Sequence, residues 1–202
     1  YPTGVEFNNY QLSEKKISDY AKSDLFVFNS QDQDRNYAVS MINENKNLKL
    51  IDAAYGMNYN YSIEELWLNP YNYLMMARNV RNGLDEYITS HYLIKDINER
   101  FDDLQYRLSK LDAELKSIIS NANYTTIVAD NDLFKFLEKY GFEIISISSN
   151  DESSNTNISK AKSAFSAKTN AYLFIIKGTE ENDTIKSMTD AGAKLAEINP
   201  MY

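Results

Sequence analysis

The longest regular pattern in the chain lies between Asp96 and Ser120, where apolar residues recur at alternating steps of four and three. This spacing places them along one face of a single helix, with charged residues between them. The stripe consists of Ile97, Phe101, Leu104, Leu108, Leu111, Leu115 and Ile118. The pattern predicts a long helix, about 40 Å from end to end, that packs against its own chain. A coiled-coil dimer is the alternative interpretation of such a stripe.

Shorter patterns of two kinds alternate on both sides of this helix. Before it, the spacing predicts helices over 14–22, 34–45 and 70–87, and strands over 24–29 and 48–52. After it, the spacing predicts strands over 125–129, 143–148, 171–176 and 193–198, and helices over 130–140, 158–168 and 180–191. The apolar run at 24–29 is typical of a strand that is buried on both faces.

The order strand, helix, strand at this spacing predicts parallel βαβ units. We therefore expect an α/β protein with two lobes, each a parallel sheet flanked by helices, joined by one long backbone helix. The predicted boundaries are an N-terminal lobe over 1–88, the linking helix over 89–120 and a C-terminal lobe over 121–202. The chain starts in loop-like sequence, so the N-terminal lobe is expected to be incomplete at its start.

Composition excludes several classes of function. The 202 residues carry a formal net charge of −8, whereas proteins that bind nucleic acids usually carry a basic surface. There is no cysteine, which excludes disulfides and thiolate metal sites. No apolar run reaches membrane-spanning length, and no signal peptide is recognisable in this sequence.

The sequence also offers no catalytic constellation. Its single histidine, His91, stands at the start of the long helix, where nothing places it beside a nucleophile. There is no glycine-rich loop of the kind that holds phosphate groups. We therefore expect a protein that is not an enzyme.

Four stretches, in order along the chain, resemble the motifs of one family. They are Asn8-Asn9-Tyr10-Gln11 with the strand at 24–29, Glu65-Leu66-Trp67-Leu68-Asn69-Pro70, the segment 129–142, and the segment 192–200. Together they are similar to the zinc- and manganese-binding substrate-binding proteins of bacterial ABC transporters. That resemblance implies two α/β lobes joined by a long helix, with a metal ion bound between the lobes. It also implies an ABC permease as partner and a location outside the cell or at its surface, as a lipoprotein or a periplasmic protein.

The chain departs from the family at the metal ligands. Where the family has histidines, this sequence has Asn8, Glu65 and Asp130, and where the family has a carboxylate it has Asn199. Without imidazoles the basis for tight zinc binding is absent. Four oxygen donors would instead suit Mn²⁺, Ca²⁺ or Mg²⁺, and the other interpretation is a degenerate site that binds no metal. In the second case we expect Glu65 and Asp130 to be held apart or hydrogen-bonded, because unpartnered neighbouring carboxylates repel.

Aromatic residues near these motifs suggest a second function. Tyr10, Tyr61 and Trp67 are candidates for the rim or lining of the cleft, although aromatic residues at such positions usually serve packing. The alternative to transport is an adhesion or protein-interaction module built on the same scaffold. A large exposed aromatic surface would favour that alternative.

Overall fold

The structure is a computed structural model that describes residues 10–31, 33–148 and 154–199. The chain divides into two compact units, with the division between Asp112 and Ala113. We call them the N-terminal unit and the C-terminal unit and describe each by itself. The lobe boundaries predicted from the sequence stay a prediction.

The N-terminal unit begins with two short strands joined through a helix. Its first elements are α1 (Glu14–Ala21), β1 (Leu25–Phe28), α2 (Gln33–Glu44) and β2 (Lys49–Asp52). The two strands pair in parallel, with Leu25 opposite Lys49, which confirms the predicted βαβ unit. Met41 of α2 is fully buried in the core between these elements. The expectation that β1 is buried on both faces is wrong, because Val27 is 42% exposed on one of them.

Two further helices, α3 (Glu65–Leu68) and α4 (Pro70–Tyr87), follow β2. Asn69 caps α4, and its side-chain oxygen accepts the backbone N–H of Tyr71 at 3.1 Å. Pro70 fits the first position of the helix, where no backbone donor is required. Gly83 lies against β2, since a Cβ there would come within 2.7 Å of the Ile51 side chain. The glycine therefore permits the close packing of α4 on β2.

The long helix α5 extends over His91–Asn121, which confirms the helix predicted from the apolar stripe. Phe101 is buried, and the Arg81 guanidinium of α4 lies 4.6 Å from its ring centroid. Leu111 is 43% exposed and Ile118 is 55% exposed. The stripe thus packs against its own chain at Phe101, and its burial is lower at these two later positions. No helix in the described ranges combines the length and the apolar character that a membrane crossing requires.

The C-terminal unit contains a four-stranded parallel sheet in the order β4-β3-β5-β6. Its strands are β3 (Thr126–Ala129), β4 (Glu143–Ser146), β5 (Tyr172–Ile176) and β6 (Lys194–Ile198), and its helices are α6 (Ser154–Ser166) and α7 (Asp183–Asp190). Phe165, Leu173 and Met188 are buried in the core formed by the sheet and these helices. This arrangement confirms the predicted class, a mixed α/β fold with parallel sheets flanked by helices.

Two predicted helices of this unit differ from the structure. The helix expected over 130–140 is a 3-10 helix that begins only at Lys135 and ends at Tyr140. The Asn131 side-chain oxygen accepts the backbone N–H of Leu133 at 2.9 Å, which favours a turn at the start of this segment. Gly141 follows with φ 104°, the left-handed conformation expected of a C-terminal cap. The helix expected over 158–168 already begins at Ser154.

Candidate functional site

Glu65, one of the four ligand candidates predicted from the resemblance, is almost completely buried, with 4% of its surface exposed. Its carboxylate accepts three backbone N–H groups from the preceding loop. The donor of Tyr61 lies 2.7 Å from Oε1, that of Ser62 lies 3.4 Å from Oε1, and that of Asn60 lies 3.4 Å from Oε2. Both carboxylate oxygens are therefore bound by the backbone of their own chain.

A local sequence signal explains this geometry. Ser62 and Glu65 have the spacing of a capping box, in which the acidic side chain at the start of a helix bonds back to the backbone N–H three residues earlier. Here only that half of the box is formed, and the backbone N–H of Glu65 donates to the Ser62 carbonyl at 3.1 Å. The Asn72 amide of α4 donates to the Glu65 carbonyl at 3.1 Å. The motif resemblance does not indicate this spacing between Ser62 and Glu65.

The loop that Glu65 holds carries three exposed tyrosines. We call residues 53–64, between β2 and α3, the tyrosine loop. Tyr55 is 77% exposed, Tyr59 is 42% exposed and Tyr61 is 44% exposed. Ligand sites commonly lie at the carboxyl ends of parallel strands. The tyrosine loop follows β2 and so lies at such an end.

Side chains from other elements also hold the tyrosine loop. The Asn79 amide of α4 donates to the carbonyls of Ala53 and Tyr55, at 3.0 and 3.1 Å. The Gln31 amide donates to the carbonyl of Met57 at 3.3 Å. The loop is thus fixed at its beginning, its middle and its end.

Asp130 lies in the C-terminal unit, directly after β3, and is half-buried. Its backbone N–H donates to the Phe174 carbonyl of β5 at 3.0 Å. The chain passes from β3 to β4 on one side and returns to β5 on the other, so Asp130 stands at the point where the strand order reverses. Crevices at such points are the common ligand sites of open α/β sheets.

The Asp130 carboxylate accepts hydrogen bonds mainly from side chains, and it is half-buried. Burial raises the pKa of Asp130 above its ordinary value of 3.8, because the charged form loses water. Hydrogen bonds from the Asn131 amide, the Thr179 hydroxyl and the backbone N–H of Ile176 oppose this rise in pKa. Thr179 is distant in sequence, and no local pattern could have identified it as a partner.

The other predicted site residues are placed as follows. Asn199 follows β6 and is exposed, at the same carboxyl edge of the sheet as Asp130 but with β5 between the two strands. Asn8 lies outside the described residues. Glu65 belongs to the N-terminal unit, whereas Asp130 belongs to the C-terminal unit. The convergence of these four residues on one cation stays a prediction.

The three aromatic candidates have separate surroundings. Tyr10 lines a cavity of about 450 Å³ beside α1 and β1, where its hydroxyl is 2.7 Å from the Lys16 ammonium. Trp67 is half-buried in α3, and Tyr61 is exposed on the tyrosine loop. Tyr61 is joined to a site residue through its backbone N–H, which donates to Glu65.

The donor set does not fit the zinc ion that the resemblance implies. Zinc sites in proteins combine imidazole or thiolate ligands with an occasional carboxylate, and this chain has no cysteine and one histidine, His91, which is exposed at the start of α5. Within the described ranges, no group of three or more His, Cys, Asp or Glu side chains is arranged to hold a metal ion. Both Glu65 oxygens already accept backbone donors.

The fold defines a class, that of mixed α/β proteins with parallel sheets flanked by helices. The model of the family "Zinc-uptake complex component A periplasmic" (ZnuA) matches residues 1–202. The chain belongs to this family of metal-binding, substrate-binding proteins, as the four sequence stretches predicted. The family comprises solute-binding proteins and not enzymes. No curated protein matches the chain by sequence.

Solved structures show the same fold at low sequence identity. A zinc-bound variant of AdcAII from Streptococcus pneumoniae has a TM-score of 0.76 and 17% identity, over 98% of this chain and 78% of that chain. A zinc-bound deletion mutant of ZnuA has a TM-score of 0.75 and 15% identity, over 96% of this chain and 77% of that chain. The laminin-binding protein Lbp of Streptococcus pyogenes has a TM-score of 0.72 and 16% identity, over 95% of this chain and 77% of that chain.

Proposed function

We propose that this protein is the solute-binding component of a bacterial ABC transporter and that its zinc site is degenerate. It works outside the cytoplasmic membrane, as a periplasmic protein or a surface lipoprotein, and delivers its cargo to an ABC permease. Family membership over the whole chain supports the transport role. The degenerate zinc site is supported by the Glu65 carboxylate. It accepts three backbone N–H groups at a position where, by the resemblance, the family has a metal-binding histidine.

The loss of zinc binding follows from ligand chemistry. Zinc and the late first-row metals favour imidazole nitrogen, and the substituted positions offer only carboxylate and amide oxygens. Of the two carboxylates, Asp130 is the better candidate for direct contact with cargo, because two of its partners are side chains that can rotate. The metal-binding alternative is a set of four oxygen donors, which would suit Mn²⁺, Ca²⁺ or Mg²⁺. Its members would be Asn8, Glu65, Asp130 and Asn199.

Metal-stripped protein, heated alone and with Zn²⁺, Mn²⁺, Ca²⁺ or Mg²⁺, tests the proposal. An ion at 100 times its dissociation constant would add about 2.7 kcal/mol to the free energy of unfolding. We expect no rise in the unfolding midpoint with Zn²⁺. A rise with Zn²⁺ that Asp130→Ala abolishes would contradict the degenerate site. A rise only with Mn²⁺, Ca²⁺ or Mg²⁺ that Asp130→Asn abolishes would establish the oxygen-donor site.

The transport role needs a separate test. Chemical cross-linking in the cells that make the protein, followed by mass spectrometry, identifies its partner. We expect an ABC permease among the cross-linked products. Cross-links that lead only to host or matrix proteins would contradict transport and favour the alternative function.

That alternative is an adhesion or protein-interaction module. The exposed side chains of Tyr55, Tyr59 and Tyr61 favour it, because tyrosine provides a large contact area at a low cost in conformational entropy. The structural neighbour Lbp is named for laminin binding, although at 16% identity the likeness shows the fold alone. Surface plasmon resonance with immobilised laminin, on the protein and on a Tyr55→Ser/Tyr61→Ser variant, tests it. Micromolar binding that the double substitution weakens tenfold would support adhesion.

A further inference from the structure

We infer that Glu65 is a positioning residue that fixes the tyrosine loop and is not a ligand of the cargo. The inference rests on the proposed function only in taking the carboxyl end of β2 as part of the solute site. It concerns the role of one side chain. It therefore holds or fails independently of which solute the protein carries.

The hydrogen bonds show how the carboxylate is used. Oε1 accepts the backbone N–H of Tyr61 at 2.7 Å and that of Ser62 at 3.4 Å, and Oε2 accepts that of Asn60 at 3.4 Å. A carboxylate that receives backbone donors on both oxygens has its hydrogen-bonding partners without any cation. A cation bound to Glu65 would compete for these oxygens with the backbone N–H groups that already donate to them.

Burial supports the same role. Glu65 is 4% exposed, whereas charged side chains are rarely buried unless they are paired. Here the partners are the backbone donors of its own loop, which replace the water that the carboxylate loses. Removal of the carboxylate would leave these donors without their acceptor, so the loop would lose its fixed conformation at residues 60–62.

The loop that Glu65 fixes is the one that presents tyrosines to solvent. Tyr59 is 42% exposed and Tyr61 is 44% exposed, and the latter is itself one of the backbone donors to Glu65. Ordering such a loop before binding lowers the entropy that binding would otherwise cost. Glu65 therefore acts on the solute site through the position of these two residues.

The same use of an acid recurs nearby. Asp52, at the carboxyl end of β2, accepts the backbone N–H of Ser30 at 3.0 Å and that of Ala54 at 2.9 Å. At this end of the N-terminal unit, two acids hold loop backbone by accepting its N–H groups. Glu65 follows this pattern.

Amide hydrogen exchange by NMR, on the wild type and on Glu65→Ala and Glu65→Gln variants, tests the inference residue by residue. In Glu65→Ala we expect exchange at Asn60, Tyr61 and Ser62 to accelerate at least tenfold. Glutamine keeps an acceptor at the Oε1 position and places an NH₂ group opposite the Asn60 donor. In Glu65→Gln we therefore expect acceleration at Asn60 and retained protection at Tyr61 and Ser62.

The matched control is Glu64→Gln, which removes the same charge one residue earlier. The Glu64 side chain forms no capping hydrogen bond to α3, and we expect no change in exchange at residues 60–62. Titration of all variants with Zn²⁺ and with Mn²⁺ gives the second measurement. We expect Glu65→Gln and Glu64→Gln to match the wild type with both ions.

The outcomes separate this inference from the proposed function. Metal binding that Glu65→Gln weakens tenfold and Glu64→Gln does not, with unchanged loop exchange, would overturn the inference. Zinc binding by the wild type that is equally strong in Glu65→Gln would contradict the degenerate site but leave Glu65 as a positioning residue. If Glu65→Ala does not fold, the single accelerated amide expected in Glu65→Gln still decides the question.

Discussion

Glu65 and Asp130 are both ligand candidates by motif resemblance, and the structure surrounds their carboxylates differently. Glu65 is buried, and its described hydrogen bonds come from the backbone of one loop. Asp130 is half-buried, and its carboxylate is held largely by the side chains of Asn131 and Thr179 while burial raises its pKa. A carboxylate bound by backbone donors cannot exchange them unless the loop moves. A carboxylate bound by side chains can exchange partners through rotamer changes alone.

This difference shows that one type of substitution can have two consequences. By the motif resemblance, each acid stands where the family has a histidine. At position 65 the carboxylate accepts donors three to five residues earlier, from the loop that leads into a short helix. At position 130 the acid stands at a strand end, next to a neighbouring strand. The local backbone therefore determines whether an introduced acid becomes part of the scaffold or remains available to cargo.

The largest expected effect is that of removing the Glu65 carboxylate on the free energy of unfolding. We expect Glu65→Ala to lower the free energy of unfolding by about 2–3 kcal/mol, because backbone donors lose a charged acceptor. Urea unfolding followed by tryptophan fluorescence measures it, since the only tryptophan, Trp67, lies two residues away in α3. The control Glu64→Ala is expected to stay within about 0.5 kcal/mol of the wild type. A loss at Glu65 no larger than that of the control would remove the distinction between the two acids.

A smaller effect is expected at the start of α4, which follows Glu65 closely. Asn69 is 8% exposed, and its side chain accepts the backbone N–H of Tyr71 at 3.1 Å. We expect Asn69→Ala to cost about 1 kcal/mol, the usual value for a lost helix cap. Asn69→Asp keeps the acceptor and should restore most of that stability in the same urea measurement. A cost equal to that of Glu65→Ala would indicate that both report one local unfolding event and not separate hydrogen bonds.

Much of the fold could be predicted because the relevant signals are local. The apolar stripe ending at Ile118 predicted α5, and the spacing that predicted a helix over 70–87 agrees with α4. The predicted start of the helix before Gly141 was wrong, because the turn around Asn131 depends on a side-chain bond that competes with helix formation. The exposure of Val27 was also missed, since an apolar run does not indicate how many neighbours a strand will have.

The site could be predicted in part. Motif resemblance selected Glu65 and Asp130 as candidates, and both carboxylates accept hydrogen bonds. Their joint role in one site stays a prediction. The resemblance treated Glu65 as a ligand candidate, although its spacing from Ser62 indicated a backbone cap. The bond from Thr179 to Asp130 depends on the pairing of β3 with β5. Such a contact arises from the assembled sheet and is not encoded in any short segment.

The smallest expected effect concerns the ionisation of Asp130. Burial raises its pKa above 3.8, so the folded state binds the proton more tightly than the unfolded state does. As the pH rises from about 3 toward neutrality, ionisation should therefore lower the stability of the wild type relative to Asp130→Asn. Carboxyl-carbon NMR should place the titration midpoint above 3.8 in the wild type. Thr179→Val, which removes a hydrogen bond to the carboxylate, should raise the midpoint further. A midpoint at or below 3.8 would mean that the hydrogen bonds outweigh burial, and Asp130 would then resemble Glu65 as a fully partnered carboxylate.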